Sequence, residues 1–198
     1  MRTLLRPLAA AFAILAAGAA AAQDAPLGAF TSLVQQGSTG PWEQTITATA
    51  YTMENASDPA AIRYYWGLGN GDEIGSRTIM VEVEIADGGD TSRAGILYGY
   101  DDDTRFYFAF VLEVTGAVAL YRRDAAGFNL WMSSETDAVR DGANELSIVE
   151  DGDTITMYLN GTRTGSISSD GIGSGAAGIV AVGTGRFIFT AYDDSSLN

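Results

Sequence analysis

Three groups of side chains in this sequence have types and spacings that could do chemistry. The first is the carboxylate pair Glu82 and Glu84 in "VEVEIAD", with Asp87 three residues on. Two carboxyls about 5 Å apart can divide the roles of nucleophile and acid in sugar hydrolysis. Strand alternation alone also accounts for the pair, because Ile79, Val81, Val83 and Ile85 take the opposite face. The second group is the acidic turn "YDDDT", where Asp101 and Asp103 offer oxygen ligands to a hard cation such as calcium. Aspartates also favour turns for their own hydrogen bonding, without any metal. Asp151 with Asp153, and Asp193 with Asp194, are lesser pairs of the same kind. The third group is aromatic and basic: Tyr98 and Tyr100 on one segment, Arg105 and Tyr107 on the next, then Arg122 or Arg123 and Trp131, with Trp66 upstream. Flat C–H faces of sugar rings stack on such rings, and guanidiniums bond the hydroxyls. The ligand-binding set drawn from it is Tyr98, Tyr100, Arg105, Tyr107, Arg122 and Trp131. Phe106, Phe108 and Phe110 read as core, whereas Arg105 is informative because Arg is rarely buried unless paired.

Absent residue types exclude much other chemistry. The chain has no His and no Cys, and its basic residues are all Arg. That removes an imidazole base, ordinary zinc sites, Schiff-base lysines and the P-loop lysine. The formal net charge is −14 over 198 residues. Such a charge repels phosphate backbones and anionic lipid, which argues against nucleic acid and anionic membrane surfaces as partners. Residues 1–22 pair two arginines with an Ala-rich apolar run and a small-x-small site, the pattern of a signal peptide. Its removal would take Arg2 and Arg6 and no acid, leaving a net charge of −16. The expectation is an exported protein, periplasmic or extracellular, with residues 23–198 as a single domain held by its core instead of by disulfides.

These groups need elements to position them, and those elements are strands. From Gly28 onward, Gly, Asp, Ser and Thr clusters punctuate short runs rich in Val, Ile, Tyr, Phe and Thr. "TIMVEVEIAD" alternates cleanly, and "TRFYFAFVLEV" is apolar on both faces, as befits a strand covered on both sides or lining a groove. "GAVALYRRDAAGFNLWMSS" reads as two strands around a turn, and "AAGIVAVGTGRFIFTAYDD" as two more. "NELSIVEDGDTITMYLNGTRTGSI" reads as three strands, with Asn160-Gly161 supplying the two positive-φ residues of a type I′ turn. That turn predicts Leu159 opposite Thr162 and Met157 opposite Thr164. "DPAAIRYYW" allows one helical turn at most, and residues 45–75 give no clear strand assignment. The final "TAYDDSSLN" predicts a short closing strand.

In this order the segments "AGILYGYDDDTRFYFAFVL", "ALYRRDAAGFNLW", "NELSIVEDGDTITMYLNGTRTGSI" and "GAAGIVAVGTGRFIFTAYDD" resemble the concanavalin A-like, or laminin G-like, jelly-roll superfamily, from about Phe30 to the C-terminus. The closest resemblance is to bacterial sugar-binding modules and domains of the 3-keto-disaccharide hydrolase type. The resemblance implies an all-β, antiparallel two-sheet jelly-roll sandwich. It implies a non-catalytic domain binding a carbohydrate or glycan, with calcium on a rim loop in some members. Laminarinase-like members carry E-x-D-x-x-E on a strand; here the order is E-x-E-x-x-D, so the residue types are exchanged. A glycoside hydrolase using Glu82 and Glu84, and an adhesive or structural module of the envelope, remain as alternatives.

Overall fold

The computed structural model describes residues 34–67, 76–101, 103–169, 172 and 175–196. The leader reading for residues 1–22 lies outside the described residues. Every regular element among the described residues is a strand. In chain order they are β1 (Gly37–Thr39), β2 (Trp42–Ile46), β3 (Tyr51–Asn55), β4 (Ile62–Trp66), β5 (Ser76–Ala86), β6 (Arg93–Asp101) and β7 (Phe106–Glu113). There follow β8 (Ala117–Asp124), β9 (Gly127–Glu135), β10 (Asn144–Asp151), β11 (Thr154–Leu159), β12 (Thr162–Ser168), β13 (Ala176–Val182) and β14 (Gly185–Ser196). They pair into an eight-stranded sheet, β1-β2-β3-β14-β5-β10-β11-β12, and a six-stranded sheet, β4-β13-β6-β7-β8-β9. This is an all-β two-sheet sandwich, as the strand pattern predicts.

The period-2 alternation of β5 shows how the layers bury one another. Ile79, Val81 and Val83 are at most 1% exposed, while Met80, Glu82 and Glu84 on the other face stay half-buried. The inner face of the other sheet answers with Ile96, Phe108, Phe110 and Leu120, and the two sets form one core. At one end of this interior Arg77 binds Asp194 in a bidentate pair, 2.6 Å from Nε to Oδ1. Asp194 is therefore committed to an ion pair, and Asp193 faces solvent.

Three local expectations change. Asn160 (φ 50°) and Gly161 (φ 77°) make the turn of the β11–β12 hairpin, with Leu159 opposite Thr162. Beyond it the register slips by one, so Met157 faces Gly165 and not Thr164. The glycine sits under the Met132 side chain of β9, whose methyl lies 2.5 Å from where a Cβ on Gly165 would be. The closing strand is not short. β14 runs 12 residues because it pairs with β3 over its first half and with β5 along its length. Finally, "IRYYW" is strand β4, paired with β13, and residues 45–67 hold the end of β2, all of β3 and all of β4, while residues 68–75 lie outside the described residues.

Candidate functional site

The six-stranded sheet has a second apolar cluster on the face turned away from the core. Leu97, Tyr100, Tyr107, Ala109, Val111, Ala119, Val180 and Val182 form it, with Tyr64, Tyr121 and Phe128 packed against it. This explains the two-faced apolarity of β7: Phe108 and Phe110 face the core, and Tyr107, Ala109 and Val111 face outward.

Rings from five segments meet there. Trp66 stacks on Tyr100 with centroids 4.4 Å apart and planes at 23°. Tyr64 touches Trp66, Tyr100 and Tyr107 at 5.9, 5.7 and 5.4 Å. Tyr107 continues to Phe128 at 6.4 Å, and Phe128 stacks on Tyr121 at 4.7 Å and 5°. β4 and β7 are separated by β13 and β6, and three strand spacings amount to roughly 14 Å. Their rings reach toward each other over a floor made by the strands between, whose backbones sit tightly against their neighbours at two glycines. A Cβ at Gly95 would fall 2.2 Å from the Phe110 carbonyl, and one at Gly178 1.8 Å from the Tyr65 carbonyl. Large side chains from the flanks lie over that floor and cover Leu97 and Val180.

The covering rings are themselves tightly packed: Tyr100 is 5% and Tyr107 3% exposed, whereas Trp66 is 40% exposed. Burial, reinforced by Tyr64 and opposed by Arg123, pushes the Tyr107 hydroxyl up to about 12. At the other end of the stripe Arg93 lies 4.4 Å over the Tyr121 ring and pairs with Glu113 at 3.5 Å. The Tyr121 hydroxyl donates to Glu113 Oε1 at 2.7 Å. Burial and then that hydrogen bond push the Tyr121 hydroxyl up to about 12. Beside Tyr107 the face opens into a cavity of about 250 Å³ lined by Ile62, Tyr64, Arg105, Tyr107 and Arg123.

The structure brings together Tyr100, Tyr107 and Arg105 of the sequence-derived set, and separates the others. Tyr98 is 4% exposed in the core, where its hydroxyl donates to Glu150 at 2.9 Å. Tyr98 and Tyr100 share strand parity, yet a register shift between Tyr98 and Asp101, with Gly99 at φ 65°, turns one inward and the other outward. Arg122 and Trp131 fall on the core side of the sheet, at its margin. Tyr107 is register partner to Arg123 and Phe108 to Arg122, so alternation gives Arg123, not Arg122, to the outer face. Trp131 stacks on Phe108 at 4.9 Å and 16°, with Arg122 over it at 5.6 Å and bonded to Asp124 at 3.2 Å. Tyr121 and Phe128 escaped sequence reading, and Tyr64 stood out only within the looser aromatic, Gly-rich stretch "RYYWGLGNGDEIG", read as a loop. The alternation Ile62, Tyr64, Trp66 carried the signal for Tyr64, hidden by the unassigned loop around it.

The other candidates lie elsewhere. Glu82 and Glu84 are on the outer face of the eight-stranded sheet, and Glu82 Oε2 accepts the Thr190 hydroxyl. Asp101 Oδ1 accepts the backbone N–H groups of Asp103 (2.9 Å) and Thr104 (3.0 Å), closing the turn that leads into β7. Asp102 lies outside the described residues, and among the described residues no three acidic side chains gather as a cation site. Asp151 and Asp153 are exposed on the β10–β11 turn.

The fold is a concanavalin A-like jelly-roll sandwich. The carbohydrate-binding module CBM66 from Bacillus subtilis matches it with a TM-score of 0.55 at 15% identity, over 80% of this chain and 92% of that one. A galectin-like protein of unknown function from the same species gives 0.56 at 8% identity, over 78% and 87%. The alginate lyase AlyC3 gives 0.50 at 11% identity, over 75% of each chain. No protein-family model and no curated protein sequence matches the chain. At these identities the likeness concerns the fold, and the site must speak for function.

Proposed function

We propose that this protein is an exported, non-catalytic carbohydrate-binding domain whose ligand lies on the outer face of the six-stranded sheet. The observation that carries the reading is the continuous ring stripe from Trp66 and Tyr64 through Tyr100 and Tyr107 to Phe128, ending at an exposed indole. Its apolar faces suit the C–H faces of sugar rings, and the guanidiniums beside it suit their oxygens. Fold neighbours that include a carbohydrate-binding module and a lyase support a saccharide ligand. Binding without cleavage is supported by composition: the cavity lining has no carboxylate among the described residues, and Glu82 and Glu84 belong to the other sheet.

A glycan array and titration of the hits test this directly. Trp66→Ala should weaken binding several-fold to about tenfold, from lost stacking. Trp131→Ala, on the opposite side of the sheet, should leave affinity unchanged. Loss of binding in the second variant and not in the first would overturn the placement of the site.

A further inference from the structure

Resting on that reading, we infer that the saccharide carries an anionic group, a carboxylate or a sulfate ester, and that Arg105 and Arg123 hold it at the cavity beside Tyr107. The protein as a whole is strongly acidic, with a net charge of −14. Yet the described residues that line the cavity are two arginines, two tyrosines and one isoleucine. Three other arginines are neutralised by carboxylates: Arg77 by Asp194, Arg93 by Glu113 and Arg122 by Asp124. Arg105 and Arg123 form no ion pair among the described residues, and both are exposed.

Two neighbouring carboxylates are committed elsewhere. Asp101 is folded back onto the N–H groups of Asp103 and Thr104, and Asp124 faces Arg122. Asp103 remains exposed on the same turn as Arg105. More remote acids are screened beyond about 8 Å at physiological salt. The backbone of Arg105, at φ 53°, ends the turn and leads into β7.

The donor balance selects the ligand. A neutral sugar hydroxyl both donates and accepts, and sites for it mix acceptors with donors. Guanidiniums only donate, in a fork that matches a planar or tetrahedral oxyanion. Among the described residues, the lining offers no carboxylate or amide side chain to receive a hydroxyl proton, and its tyrosine hydroxyls are the side-chain acceptors there. A cavity of about 250 Å³ takes a single ring and its substituent, with the chain continuing toward Trp66 over the stripe.

Calorimetric titration of the full chain with three hexasaccharide probes tests the inference: oligogalacturonate, a sulfated galactan fragment and neutral galactan. At least one anionic probe should bind tenfold or more tightly than the neutral one, and more weakly as salt rises. Arg105→Ala and Arg123→Ala, both at exposed positions, should each cost that probe about tenfold or more, as lost charge-assisted bonds do. Asp103→Asn should tighten it. The carboxylate and sulfate arms tell the two sources apart. Equal affinity for the neutral probe, with both arginine variants silent, overturns this inference and leaves the carbohydrate reading standing. If none of the three binds, both fall.

Discussion

The outer faces of the two sheets differ. On the eight-stranded sheet, alternation ends in a largely polar face: Glu82 and Glu84 of β5, beside Met80, back onto Ile79, Val81 and Val83. On the six-stranded sheet it ends in a second apolar layer, where Val111, Val180 and Leu97 are fully buried although no third sheet covers them among the described residues. The difference teaches that a strand apolar on both faces need not lie inside a three-layer domain. Its second face can be roofed by rings from its own sheet, as Tyr64, Tyr100 and Tyr107 do here. Such a roof is partly open and chemically varied, which is what a binding face requires.

The sharpest way to break the comparison is to remove one ring from each side of β7. Phe108→Ala empties a sealed core position and should cost about 3–5 kcal/mol in denaturant unfolding. Tyr107→Ala removes a ring from a face that solvent can fill, so the loss is nearer the burial value alone, about 1.5–3 kcal/mol. If the outer substitution costs as much as the inner one, the outer layer is a second core and not a roof.

Alkali probes the same roof. Tyr107 and Tyr121 titrate at about 12, against 10.0 for a free tyrosine, so the folded state binds these protons more tightly than the unfolded state. Stability from the neutral hydroxyls is therefore whole below pH 10 and is lost as pH rises through about 12. Melting temperature should fall steeply across that window, and Tyr107→Phe should flatten the fall. An unchanged slope would mean that Tyr107 is hydrated.

The smallest effect is expected on the polar face. Glu82→Gln keeps an acceptor for Thr190, so stability should shift by no more than about 0.5 kcal/mol and saccharide binding not at all. A binding defect there would move the ligand to the eight-stranded sheet.

Much of the fold was legible in residue order. The alternation of β5, the Asn160-Gly161 turn and the β10-β11-β12 meander follow from local rules alone. The site was legible only in part, and particular residues show why. Arg122 and Arg123 are adjacent and chemically identical, and only the pairing of Tyr107 with Arg123 chooses between them. Tyr98 and Tyr100 have the same parity, and only a bulge at Gly99 sends them to opposite faces. Trp131 belongs with the rings by composition and with Phe108 by position.

The sequence by itself determined that this chain forms strands, where most of them turn, and that β7 has no polar face. These are consequences of side-chain period and turn stereochemistry, which act over a few residues. Tertiary structure alone decided which rings meet. Tyr64 and Tyr107 are 43 positions apart in the chain and come within 5.4 Å because the strand order sets β4 and β7 in one sheet, with their rings reaching toward each other across β13 and β6.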